Sequence, residues 1–64
     1  MRIKDLREDR DLTQAEVAEI LGIRQNTYCQ YENGKRQIPL LHLIALAKYY
    51  NTTTDYILGL TDEK

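Results

Sequence analysis

Cysteine is almost missing from this sequence. Cys29 stands alone among 64 residues, so no internal disulfide forms and the expected context is cytosolic. His42 is equally solitary, and one thiol with one imidazole cannot supply the three or four ligands of a zinc site. No metal or other cofactor is expected. No apolar run approaches the roughly 20 residues of a membrane span, and the charged opening Arg2-Ile3-Lys4-Asp5 does not read as a signal peptide. Neither sign of charge dominates: nine Lys and Arg against ten Asp and Glu leave a net charge of −1. Whole-molecule charge thus gives no hint of nucleic acid, and such a case must rest on local placement. With one Pro and three Gly, 42 % hydrophobic and 30 % charged residues, the composition is globular and not disordered. A chain this short buries only about 60 % of its unfolded surface, room for one marginally stable domain.

Gly22, Gly34, Pro39 and Gly59 divide the chain, and between them the apolar spacing is helical. Nothing alternates with period two for long enough to make a strand. A first helix is expected from about Arg2 to Arg10, with Ile3 and Leu6 on a narrow stripe. Asp11 tolerates the left-handed turn that would end it. Thr13-Gln14-Ala15-Glu16 reads as a capping box opening a second helix, whose buried face is Val17, Ala18, Ile20 and Leu21. A third, about Gln25 to Glu32, buries Tyr28 and Tyr31 and stops at Asn33-Gly34. The fourth starts with Pro39 as a first helical residue and runs to about Tyr50. Its Leu40, Leu43, Ile44 and Ala47 face the core, away from Leu41 and Ala45. Thr53 and Asp55 open a short fifth helix, Thr54 to Leu58, closed by Gly59. The fold expected is all-α, a compact domain of five helices.

The join between the second and third helices carries the function. Ala18, Gly22, Tyr28 and Tyr31 are spaced as two helices meeting at a sharp angle require. Val17, Leu21, Ile23, Tyr28 and Tyr31 lock the pair, which leaves one face of the third helix unburied. At 100° per residue, Gln25, Asn26, Cys29, Asn33 and Gln30 fall between about 60° and about 200° from Tyr28. A solvent-facing helix would usually carry Glu and Lys there; this one presents amides.

These residues resemble the XRE-like, lambda-repressor-like helix-turn-helix DNA-binding domains of phage and bacterial repressors and Cro proteins. The resemblance runs through LREDRDLTQAEVAEILGI (Leu6 to Ile23), YENGKRQIP (Tyr31 to Pro39) and TDYILG (Thr54 to Gly59), with the helix-turn-helix at about 14–33. It implies that Gln25, Asn26 and Gln30 read bases. Their amides offer the donor and acceptor that pair with adenine N6 and N7 in the major groove. It implies phosphate contacts by Gln14, Thr27, Asn33, Lys35 and Arg36, with Gln14 helped by the free N–H groups of its helix start. Arg7 and Glu32 match a pair that bridges the first and third helices. With Glu32 neutralised, residues 24 to 36 hold Arg24, Lys35 and Arg36 and no free acid. The chain departs from the family pattern at Arg24, where Ser or Thr commonly caps the recognition helix. That weakens the cap and opens a phosphate contact to Arg24. Asp11 replaces a common Gly, and Leu41 and Ala45 stand where charged residues are more usual.

The resemblance thus implies a sequence-specific DNA-binding transcriptional regulator, a repressor, cytoplasmic and bacterial or phage-encoded. Its partner would be double-stranded DNA bearing a palindromic operator, which multiplies the few base pairs one helix can read. A weak homodimer through Leu58 and Leu60 would pair on DNA. A chain of 64 residues is expected to hold this domain without a ligand sensor. The alternative is a protein-interaction module, such as an antitoxin, using Leu41, Ala45 and Leu60. No enzyme is expected, because lone Cys29 and lone His42 lie on different helices and offer no nucleophile–base pair. Tyr28 and Tyr31 point inward as core, Cys29 reads as an inert thiol, and His42 as a boundary residue.

Overall fold

Five helices and no strand make up the computed structural model, which describes residues 1–64: α1 (Ile3–Asp9), α2 (Gln14–Leu21), α3 (Gln25–Glu32), α4 (Leu40–Tyr49) and α5 (Thr54–Leu58). All five end alike. After α1 the Asp11 N–H reaches the Glu8 carbonyl at 3.0 Å and the Leu12 N–H reaches that of Arg7 at 3.1 Å. After α2 the same two bonds run from Gly22 to Glu19 and from Ile23 to Ala18, at 3.1 and 3.0 Å. The pair recurs after α3, α4 and α5, each time around a left-handed residue: Gly34, Asn51 and Gly59. This Schellman closure satisfies carbonyls that a helix end would otherwise leave open. Asp11 adopts the left-handed conformation expected of it, with φ 55°. At Gly22 (φ 71°) no atom lies within 4 Å of where a Cβ would stand, so the dihedral and not crowding favours glycine.

The starts are less uniform. Thr13 and Glu16 form the expected capping box, Glu16 N–H to Thr13 Oγ1 at 3.1 Å and Thr13 N–H to Glu16 Oε1 at 2.9 Å. Donation from Thr13, its backbone N–H first and its hydroxyl second, holds the Glu16 carboxyl below its ordinary value. Thr53 caps α5 through Tyr56 N–H at 3.1 Å. Pro39 proves to be the residue before the helix, extended at ψ 149°, its carbonyl taking the N–H groups of His42 and Leu43.

The core consists of Ile3, Leu6, Val17, Ala18, Tyr28, Tyr31, Ile38, Leu43, Leu46, Ala47, Tyr50 and Ile57. Of the residues expected in the core, Ile20, Leu40 and Ile44 are instead exposed. The buried stripe of α4 is Leu43, Leu46 and Ala47, continued by Tyr50 just past its end, and Ile44 sits one position off it. Leu40 lies a turn before that stripe, and Ile38 in the extended approach is buried instead. Ile20 falls at the edge of the Val17–Leu21 stripe, while Leu21 and Ile23 pack half-buried against the core.

Two arginines tie the chain ends and turns. Arg2 donates its backbone N–H to the Ile57 carbonyl at 2.8 Å and its guanidinium to Thr61 O at 2.8 Å and Asp62 Oδ1 at 2.6 Å. It also stacks 4.2 Å from the Tyr56 ring centre. Arg10 reaches the Tyr50 carbonyl at 3.2 Å, fastening the end of α1 to the end of α4.

Candidate nucleic-acid interface

The most extensive contact between helices joins α2 to α3. Tyr28 is wholly buried and Tyr31 nearly so, which fixes the roll of α3 and turns its other side outward. An open groove results, lined by Gln14, Gln25, Asn26, Cys29, Gln30, Asn33 and Lys35. It gathers all three residues expected to read bases and three of the six expected to touch phosphate. Gln25 and Asn26 are exposed, whereas Gln30 and Cys29 are half-buried on the groove floor. Arg24 and Arg36 stand exposed outside the lining, one before α3 and one after it, and Thr27 is half-buried on the helix. As expected, Arg24 supplies no side-chain cap to α3.

Two of the lining amides already have protein partners. Asn33 Nδ2 donates to Cys29 Sγ at 3.4 Å, and Gln14 Nε2 donates to Glu32 Oε1 at 3.1 Å. The amides of Gln25, Asn26 and Gln30 make no side-chain hydrogen bond within the protein, so their donors and acceptors face outward unpaired.

The Arg7–Glu32 pair forms as expected, with Nε to Oε2 at 2.7 Å and Nη2 to Oε1 at 3.2 Å. Only 2 % of the Glu32 side chain is exposed, and Arg7 also grips the Leu12 carbonyl at 2.9 Å. Burial alone would push the Glu32 carboxyl up. Donation from Arg7, with Tyr28 and Gln14 beside it, outweighs burial and holds Glu32 below the ordinary carboxylate value. Its bond to Glu32 in turn raises Arg7. The buried Tyr28 hydroxyl lies toward Glu32 without meeting it in good hydrogen-bonding geometry. Burial first, then that carboxylate, drive Tyr28 well above its usual value. Burial likewise pushes Tyr50 up to about 12.

Electrostatics follow directly. Between Glu19 and Asp55 the chain holds one carboxylate, Glu32, and Arg7 neutralises it. Arg24, Lys35 and Arg36 therefore surround an amide groove with no opposing charge.

Sequence reasoning missed two features here. One is the link from Gln14 to Glu32, which ties the first turn of α2 into the Arg7 pair; residue spacing across three helices gives no signal for it. The other is a second open groove lined by three apolar residues, Leu12, Ile20 and Tyr49, and two acids, Glu16 and Glu19. His42 takes the boundary position expected, its Nδ1 3.5 Å from the Tyr31 hydroxyl. Leu58 is 43 % and Leu60 74 % exposed, so both are open to a partner.

A family model described as helix-turn-helix matches residues 3–57, nearly the whole of this five-helix arrangement. The chain belongs to that helix-turn-helix family. Its architecture is the all-α, lambda-repressor-like one expected from the residues. The chain is 42 % identical over 62 residues to an uncharacterized HTH-type transcriptional regulator, YobD, of Bacillus subtilis. That alignment covers 97 % of this chain and 55 % of YobD. It is 47 % identical over 49 residues to the cryptic phage CTXphi transcriptional repressor RstR of Vibrio cholerae, covering 77 % of this chain and 44 % of RstR. Antitoxin PezA of Streptococcus pneumoniae is 37 % identical over 57 residues, which are 89 % of this chain and 36 % of PezA. The chain thus spans about half the length, or less, of the curated relatives it matches. No solved structure matches it. No helix is long and apolar enough to cross a membrane, and no group of three or more His, Cys, Asp or Glu comes together to hold a metal.

Proposed function

We propose that this domain is the DNA-reading part of a cytoplasmic transcriptional repressor and docks α3 in the major groove of a palindromic operator. The observation that carries it is the groove itself. It presents unpaired amides on the exposed side of a rigidly anchored helix, within a surface whose only free charges are positive. Gln25, Asn26 and Gln30 contact base edges in this account. Arg24, Lys35 and Arg36 meet phosphates on either side, with Thr27, Asn33 and Gln14 adding neutral contacts. Gln14 has one amide hydrogen on Glu32 and keeps a second for phosphate.

One α3 reads only a few base pairs, so two copies about 34 Å apart on a palindrome supply the specificity. Leu58 and Leu60 form the contact between them, a small one that pairs the protein on DNA rather than beforehand. Enrichment of binding sites from random duplex DNA tests the proposal: a repeated inverted half-site is expected, and recovery of unenriched random sequence would contradict it.

A second role, holding a partner protein as an antitoxin does, is favoured by Leu41 at 76 % exposure beside half-buried Ala45, and by the similarity to PezA. Substituting Leu41 with Lys would then abolish partner binding and spare DNA binding.

A further inference from the structure

Independently of the DNA-binding role above, we propose that the groove between α2 and α4 is a docking site for a basic amphipathic helix of another protein. Leu12, Glu16, Glu19, Ile20 and Tyr49 line it. Two of its three apolar members stand in the open, Ile20 at 41 % and Tyr49 at 42 % exposure. The lining is held in place before anything binds. The Tyr49 ring meets the buried Tyr50 edge-on, with centres 5.3 Å apart. Leu12 is fixed on both sides, its N–H on the Arg7 carbonyl at 3.1 Å and its carbonyl on the Arg7 guanidinium at 2.9 Å. The capping box with Thr13 anchors Glu16. A preformed groove loses little order on binding.

Charge decides the occupant. The stretch from Glu8 to Glu19 holds five carboxylates, Glu8, Asp9, Asp11, Glu16 and Glu19, against one cation, Arg10, which donates to the Tyr50 carbonyl at 3.2 Å. None of the five is ion-paired, because the salt bridges of the molecule are Arg2–Asp62 and Arg7–Glu32. Apolar surface beside unpaired carboxylates matches a segment that carries apolar residues on one side and Lys or Arg next to them. It repels phosphate, whether of DNA or of an anionic lipid. The fold has no sheet edge to receive a strand, which favours a helix laid in the groove. A second copy offers no such helix: α2, α3 and α5 contain no cation, α4 contains Lys48 alone, and the cations of α1 stand among Asp5, Glu8 and Asp9. At 100° per residue, Glu16, Glu19 and Ile20 fall about 140° to 240° around α2 from Gln14, which lines the amide groove. The partner thus docks on the side of α2 turned away from that groove.

The test uses the whole chain as bait for a displayed library of random peptides of about 18 residues, about five helical turns, and then titrates the enriched peptides. Enriched sequences are expected to carry apolar residues three and four apart with Lys or Arg beside them. They should shift the amide NMR signals of Leu12, Glu16, Glu19, Ile20 and Tyr49 and leave those of Gln25, Asn26 and Gln30 in place. Glu16→Gln combined with Glu19→Gln, which keeps an acceptor for the Thr13 N–H, should weaken binding about three- to tenfold and flatten its salt dependence. Ile20→Ala should weaken it at least about fivefold at every salt concentration. Enrichment of acidic peptides that shift the Gln25 and Gln30 signals, affinity untouched by the paired substitution, or no enrichment at all would each overturn the proposal. Self-association of the free chain that Ile20→Ala abolishes would assign the groove to a second copy and overturn it as well.

Discussion

Arg7 reaches across 25 positions to clasp Glu32 through two hydrogen bonds, of 2.7 and 3.2 Å, and so fastens α1 to the last residue of α3. Glu32 also takes the Gln14 amide at 3.1 Å. One carboxylate therefore holds three helices around the groove and removes its own charge from that face.

Glu32→Ala is expected to destabilise the domain by about 1–3 kcal/mol, because the largely covered Arg7 guanidinium and the Gln14 amide then lose their shared partner. A domain of this size has only about 3–10 kcal/mol in total, so the variant should lose a large part of it, as urea titration followed by circular dichroism will show. A loss under about 1 kcal/mol would mean that the pair is solvated like a surface bridge.

The same pair sets a pH dependence. The Glu32 carboxyl lies below its ordinary value in the folded protein, so its stabilisation is complete above about pH 4.5 and is lost as pH falls through the folded value. Urea midpoints of the wild type should fall between pH 5 and about pH 3. Glu32→Gln, less stable at neutral pH, should show a shallower fall over that interval. Parallel curves for the two proteins would remove Glu32 from the acid sensitivity.

Alkylation of Cys29 should exclude DNA without unfolding the chain. The thiol lies on the groove floor between Gln25 and Gln30, while Tyr28 beside it faces the core. A maleimide adduct that retains helicity and thermal stability but loses at least tenfold in operator affinity is the expected outcome. Undiminished affinity would place the DNA on another face.

Leu60→Lys should leave the monomer folded, since Leu60 is 74 % exposed, and should abolish cooperative binding to a palindrome. Titration of full and half operators distinguishes the outcomes. Cooperativity equal to the wild type's would remove this end of the chain from the contact between copies.

Much of this was legible in residue order because short-range physics decides it. The Thr13–Glu16 box, the left-handed Asp11 and the inward Tyr28 and Tyr31 depend on neighbours within a turn or two, and each forms as the sequence implies. The burial of α4 was less legible. Apart from His42 and Lys48 every residue of that helix is Leu, Ile, Ala or Tyr, so periodicity alone cannot fix its roll within one position. Packing selects the Leu43, Leu46, Ala47 and Tyr50 stripe and leaves Leu40 and Ile44 outside. The resemblance to known repressors supplied Arg7 and Glu32 as partners, but the Gln14 link to Glu32 depends on where three helices end in space. The acidic groove at Glu16 and Glu19 likewise needs Tyr49 brought in from α4.

The central claim is that α3 reads bases while the cations beyond it only hold the backbone. Comparing Gln25→Ala with Lys35→Ala on the enriched operator and on random duplex, across salt concentrations, tests it most directly. Gln25→Ala should lose about 1–3 kcal/mol on the operator, keep its affinity for random DNA, and relax the preference at one base pair per half-site. Lys35→Ala should weaken both duplexes alike and flatten the log–log salt dependence by about 0.9 for each phosphate the lysine no longer neutralises. Equal losses on operator and random DNA for Gln25→Ala, with helicity intact, would contradict the account.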